Sequence, residues 1–125
     1  MQLSAKNLSK QQLLTVSQQF HTLIADLRSP RQVETFFKDF LSTTEYLVMV
    51  KRLAIAQALI SGKSYEEIKR DLKVSSATIS GVSEILPKKG MQLALQKMKV
   101  DVWATQTAYT IQSWLKKKSS LLFRG

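Results

Sequence analysis

From Leu13 onward the apolar residues return every three or four positions and seldom alternate, the spacing that gathers them on one side of an α-helix. A first helix is expected from about Ser9 to Arg28, carrying Leu13, Leu14, Phe20, Leu23, Ile24 and Leu27. It stops at Ser29-Pro30, where Ser29 can cap a second helix and Pro30 can take its first position, which has no amide partner to lose. The second helix carries Val33, Phe36, Phe37, Phe40 and Leu41. Ser42-Thr43-Thr44 breaks the pattern, and Thr43 or Thr44 is expected to cap a third helix running through Glu45 to Ile60, with Gly62 as its stop. Tyr46, Leu47, Val48, Met49, Val50, Leu53, Ile55 and Leu59 cover much of the third helix's circumference, so it is expected to be the central and most buried one.

Beyond Gly62 the spacing shortens. Ser64, with Glu67 three residues on, has the form of a capping box opening a short helix from Ser64 to Leu72. A turn at Lys73-Val74-Ser75 leads to another helix from Ser76 to Leu86, which Pro87 closes. After Gly90 a last long helix is expected from Met91 to about Lys118, with no charge between Val102 and Leu115, and Ser119 to Gly125 as a frayed tail. The prediction is therefore an all-α protein of about six helices forming a single domain over residues 1–125, a length suited to one hydrophobic core.

Composition agrees and narrows the function. Apolar residues are 44% of the chain against 22% charged, the balance of a folded protein. With no cysteine and one histidine, His21, neither disulfides nor a zinc centre can be built, and no metal or other cofactor is expected. Glu66 and Glu67 face different directions on a helix, and there is no glycine-rich phosphate loop and no nucleophile motif, so no catalytic residue is assigned and an enzyme is not expected. The beginning of the chain lacks the apolar core of a signal peptide and no run is long enough to span a membrane, so a cytoplasmic location without membrane association is expected. Net charge is +10, of which +7 falls after Gly62 and +3 before it. A field of that sign concentrates polyanions, because each phosphate neutralised by Lys or Arg releases condensed counterions.

The charge coincides with a motif at residues 64–86. A helix-turn-helix holds its two short helices at a steep angle through a few fixed apolar points. Counted from Tyr65, the fourth, eighth, tenth, fifteenth and eighteenth positions are Ile68, Leu72, Val74, Ile79 and Val82, so all five are apolar. Lys69 stands where a small residue is usual and Lys73 where the turn often has glycine. A lysine can keep its ammonium in water while its stem packs, and a turn glycine is a preference only.

In this register the second helix enters the major groove of double-stranded DNA and presents Ser75, Ser76, Ala77, Thr78, Ser80 and Gly81. Those side chains are short, so single hydrogen bonds or a contact with a thymine methyl are within reach, while a bidentate arginine-to-guanine contact is not. Ser75 and Ser76 at the helix N-terminus also suit a phosphate. Lys63, Lys69, Arg70, Lys73, Lys88 and Lys89 are the candidates for backbone contacts, the alternative for each being a solvated basic face. Strong salt dependence with modest base specificity follows.

The run Ala54 to Leu86 resembles the Trp repressor superfamily of bacterial regulators, and in particular its members without an established link to tryptophan. The resemblance is carried by Arg52-Leu53-Ala54, by Leu59-Ile60-Ser61-Gly62-Lys63-Ser64, and above all by Ser76-Ala77-Thr78-Ile79-Ser80, and it is close from about Phe37 to Leu86. It implies six helices with the motif formed by the fourth and fifth, in an intertwined homodimer whose flanking helices share one core. Such a dimer would account for the all-round apolar third helix and the charge-free segment near the C-terminus. Trp103 and Trp114 stand at helical positions among other apolar residues, which suits core or dimer interface, the alternative being stacking on bases. The tryptophan-binding members use two arginines around the ligand. Arg52 aligns with the first and is the one candidate ligand residue, an ion pair or a phosphate contact being its other readings. The second aligns with Gly81, and Val82 replaces the glycine that follows it. That departure argues against tryptophan as co-repressor and leaves a small-molecule effector unidentified.

The sequence reading is thus a DNA-binding transcriptional regulator. Two other classes remain open at this point: a protein-interaction module whose basic face meets acidic partners, and a sequence-independent binder of DNA or RNA.

Overall fold

The computed structural model describes residues 7–99 and 115–117, and every described element is helical. The chain divides into two compact units, residues 1–49 and 50–125.

In the first unit α1 spans Lys10–Asp26 and α2 spans Pro30–Phe40. Ser9 caps α1 through a reciprocal pair with Gln12, its hydroxyl accepting from the Gln12 amide at 3.1 Å while the Gln12 carboxamide oxygen accepts from the Ser9 amide at 2.9 Å. Ser29 caps α2 with Pro30 at its first position, as expected. Phe36 and Phe40, one turn apart, stack at 5.1 Å, and Phe20 of α1 lies 6.3 Å from Phe40. No residue of α1 or α2 is buried, and Leu13, Leu14, Phe20 and Leu23 stand on the surface.

The third helix, α3, spans Thr43–Ile60. Its cap is Ser42, one residue before the threonines that the sequence suggested. The Ser42 hydroxyl accepts from the Glu45 amide at 3.1 Å and the Glu45 carboxylate accepts from the Ser42 amide at 2.9 Å. Of three adjacent hydroxyl residues, only Ser42 has a carboxylate at the third helical position. These hydrogen bonds, the one from the Ser42 amide first, hold the Glu45 carboxyl below its ordinary pKa. At the other end Gly62 has φ +82°, and the amides of Gly62 and Lys63 donate to the Leu59 and Ala58 carbonyls, both at 3.1 Å. That pair of bonds is the glycine-terminated C-cap expected there.

The expectation that α3 is the most buried helix is corrected. Within it only Ile55 and Ala56 are buried, while Leu47, Val48, Met49 and Val50 are each about half exposed. Four consecutive residues point to all sides of a helix, so a neighbour along one side cannot cover them.

The second unit holds the core. Its helices are α4, Tyr65–Leu72, α5, Ser76–Ile85, and α6, which is helical over residues 89–99. Ile55, Ala56, Ile68, Ile79, Val82 and Leu95 are buried together, with Leu59, Leu72, Val74, Leu86 and Met91 packed against them. α6 begins two residues earlier than predicted, so Gly90 lies in its first turn. There the glycine amide has no intrahelical partner to lose, and the Lys88 carbonyl accepts the first helical bond, from the Gln92 amide at 3.0 Å. The middle and end of the predicted 91–118 helix, with Trp103 and Trp114, lie outside the described residues, apart from helical residues 115–117.

Candidate nucleic-acid interface

All five points of the predicted motif face inward: Ile68, Ile79 and Val82 are at most 2% exposed, and Leu72 and Val74 are half-buried against them. Ser64 caps α4 through the predicted box with Glu67, two hydrogen bonds of 3.2 Å. α4 ends at Lys73, whose backbone is left-handed (φ 53°, ψ 55°), the single non-glycine residue with positive φ among those described. The turn therefore needs the conformation that glycine adopts freely, and lysine adopts it at a cost. Ser75 then caps α5, accepting from the Thr78 amide at 3.2 Å and sharing a 2.9 Å hydrogen bond with the Thr78 hydroxyl.

Helical periodicity sorts α5 into two faces. Ile79 and Val82 turn into the core, while Ser76, Ala77, Ser80 and Gly81, spaced one and four apart, form an exposed stripe opposite. A Cβ built on Gly81 meets nothing within 4 Å, so the stripe is open there. Glu84, which the sequence reading passed over, continues the stripe one turn beyond Ser80 and is exposed. Its spacing from Ser80 was the available signal.

The predicted cations are all on the surface except Lys69, which is partly covered. Lys63 reaches Asp71 at 3.9 Å, Arg70 reaches the same carboxylate at 3.2 Å, and Lys69 pairs with Glu66 at 3.8 Å. Exposed pairs of this kind are worth little and exchange readily for a phosphate. Lys73, Lys88 and Lys89 have no acidic partner among the described residues. A second residue that sequence reasoning missed is Lys51 of α3, whose ammonium donates to the Lys73 carbonyl at 3.4 Å. Arg52, beside it, is exposed. A groove of about 210 Å³ between α3 and α4 is lined in part by Gln57, Ser61, Lys63 and Asp71, and neither Arg52 nor Gly81 contributes to it.

A buried apolar skeleton, a left-handed turn and an exposed second helix make this a helix-turn-helix. The family model described as Trp repressor protein matches residues 15–99, more than half the chain and well beyond the stretch where the resemblance was close in sequence. The chain belongs to the Trp repressor family. Among curated proteins none matches it. Membership makes it a DNA-binding regulator of the Trp repressor kind, and none of its described helices is long and apolar enough to cross a membrane.

Proposed function

We propose that this Trp repressor family member is a sequence-specific, cytoplasmic transcriptional repressor that binds duplex DNA as an intertwined homodimer and does not use tryptophan as co-repressor. The observation that carries the reading is the two-faced α5, with Ile79 and Val82 held in the core and Ser76, Ala77, Ser80 and Gly81 free to meet base edges. Lys73, Lys88 and Lys89, free of acidic partners among the described residues, supply phosphate contacts, and Lys63, Lys69 and Arg70 join them by leaving Asp71 and Glu66. The dimer is supported by the apolar surfaces of α1 and the first half of α3. Gly81, lacking any side chain where the tryptophan-binding members have an arginine, supports independence from tryptophan.

Selection of bound duplexes from a random pool, repeated over a salt series, tests the reading. A sequence retained as salt rises, unaffected by added tryptophan, is the expected result. Uniform binding would make the chain a sequence-independent binder, and no binding an interaction module. Ser76→Glu with Ser80→Glu should abolish binding without unfolding the protein. Sedimentation should show a dimer, with recognition helices roughly 34 Å apart, one turn of DNA; a monomer refutes that geometry.

A further inference from the structure

Between Tyr46 and Ile60 the charged residues are Lys51 and Arg52 alone, set in an otherwise almost wholly apolar helix. Lys51 is partly covered and its ammonium lies 3.4 Å from the carbonyl oxygen of Lys73, twenty-two residues away. That carbonyl belongs to the left-handed residue that ends α4, so no helical ladder continues through it. The turn it forms sets the angle of α5, and Ser75, the cap of α5, is two residues on. A charged donor on a different helix therefore supplies a partner to the turn at the point where its backbone is least favourable.

We propose that Lys51 is a positioning residue for DNA binding: from α3 it braces the Lys73 turn and so fixes how α5 presents Ser76, Ala77, Ser80 and Gly81. The proposal rests on the DNA-binding reading above. Loosening the turn lets α5 rock, which degrades contacts to base edges more than contacts to phosphates, since base contacts depend on a fixed register. Replacing Lys51 should therefore lower the preference for a selected sequence rather than the attraction to DNA in general.

The test uses the full chain and two probes: the duplex that the wild-type protein selects from a random pool, and a duplex of scrambled sequence. Lys51→Met should bind the selected duplex roughly tenfold more weakly and the scrambled one at most about twofold more weakly, since the Lys51 ammonium is engaged by the Lys73 carbonyl and nonspecific binding loses only a screened charge from each protomer, not a phosphate contact. Amide exchange at Val74 and Ser75 should quicken, while the thermal midpoint moves by no more than a few degrees. Lys51→Arg, which keeps a charged donor, should restore most of the preference. Equal weakening on both probes would reduce Lys51 to bulk charge and overturn the proposal, as would an unchanged preference. If the wild-type protein selects no sequence, the reading under Proposed function fails, and this proposal falls with it. Selection by wild type with an indifferent Lys51→Met sinks this proposal alone.

Discussion

Replacing Lys73 by glycine should make the protein more stable and a poorer DNA binder. The left-handed backbone at Lys73 costs an L-residue about 1–2 kcal/mol relative to glycine. Glycine gives back roughly 0.5–1 kcal/mol through the extra freedom of the unfolded chain. The net gain is about 0–1.5 kcal/mol, and the middle of that range corresponds to roughly 2–5 °C in thermal midpoint for a domain of this size. The Lys51 hydrogen bond goes to the backbone carbonyl and survives the change. Calorimetry of Lys73→Gly, Lys73→Gln and Lys73→Val separates backbone from charge. Glutamine removes the charge but keeps the strain, so it should leave stability near wild type, and branched valine should lower it. On DNA, each phosphate that is no longer neutralised lowers the salt slope by about 0.9, so a dimer changed in both protomers should show a slope smaller by about 1.8. A Lys73→Gly protein that is less stable than wild type, or as stable as Lys73→Gln, would refute the reasoning.

Four further expectations follow from particular residues. Gly81→Ala, in an exposed helix interior with open space at its Cβ, should raise stability by roughly 0.5–1 kcal/mol in denaturant melts, since alanine is the better helix former. Ile79→Ala empties a fully buried site and should cost about 2–5 kcal/mol, while Ile79→Val should cost about 0.5–1.5, both read from the same melts. Glu45 has a depressed carboxyl pKa in the fold, so its cap stabilises above the ordinary value of 4.5 and fails as pH falls through the lower folded value; the stability gap between wild type and Glu45→Gln, measured by acid titration, should close on that side. Glu84→Gln removes an acid from the exposed stripe of α5 and should tighten binding to scrambled DNA severalfold at low salt, an effect that gel-shift titration would show vanishing as salt screens it.

Much of the fold was legible because local chemistry decided it. Ser29 with Pro30, Ser64 with Glu67, and Gly62 each fix a helix end through groups at most a few residues apart, and the five inward points of the motif follow from spacing alone. What was not legible depends on separation or on choice among equals. Ser42, Thr43 and Thr44 can all cap, and Glu45 settles the matter only once one asks which of them lies three residues before it. The Lys51 to Lys73 bond joins residues that no periodicity relates. Among the candidate phosphate-binding residues, sequence identified the basic side chains but not that Asp71 holds two of them and Glu66 a third.

The error about α3 carries the most information. Periodicity measures how apolar a helix is, whereas burial also needs something to cover it. Leu47, Val48, Met49 and Val50 are about half exposed, and with Leu13, Leu14, Phe20 and Leu23 of α1 they make eight large apolar side chains on the surface. Covering the exposed part of each is worth on the order of 1 kcal/mol, so on the order of 8 kcal/mol per chain is available to association before its entropic cost. A two-fold dimer would use such a surface twice and, by the same symmetry, would repeat α5 on the DNA at a fixed spacing. The uncovered half of α3 and the exposed stripe of α5 therefore support the same proposal: in a homodimer the first would give the second chain its purchase, and the second chain would turn a set of short, weakly discriminating side chains into a two-site reader.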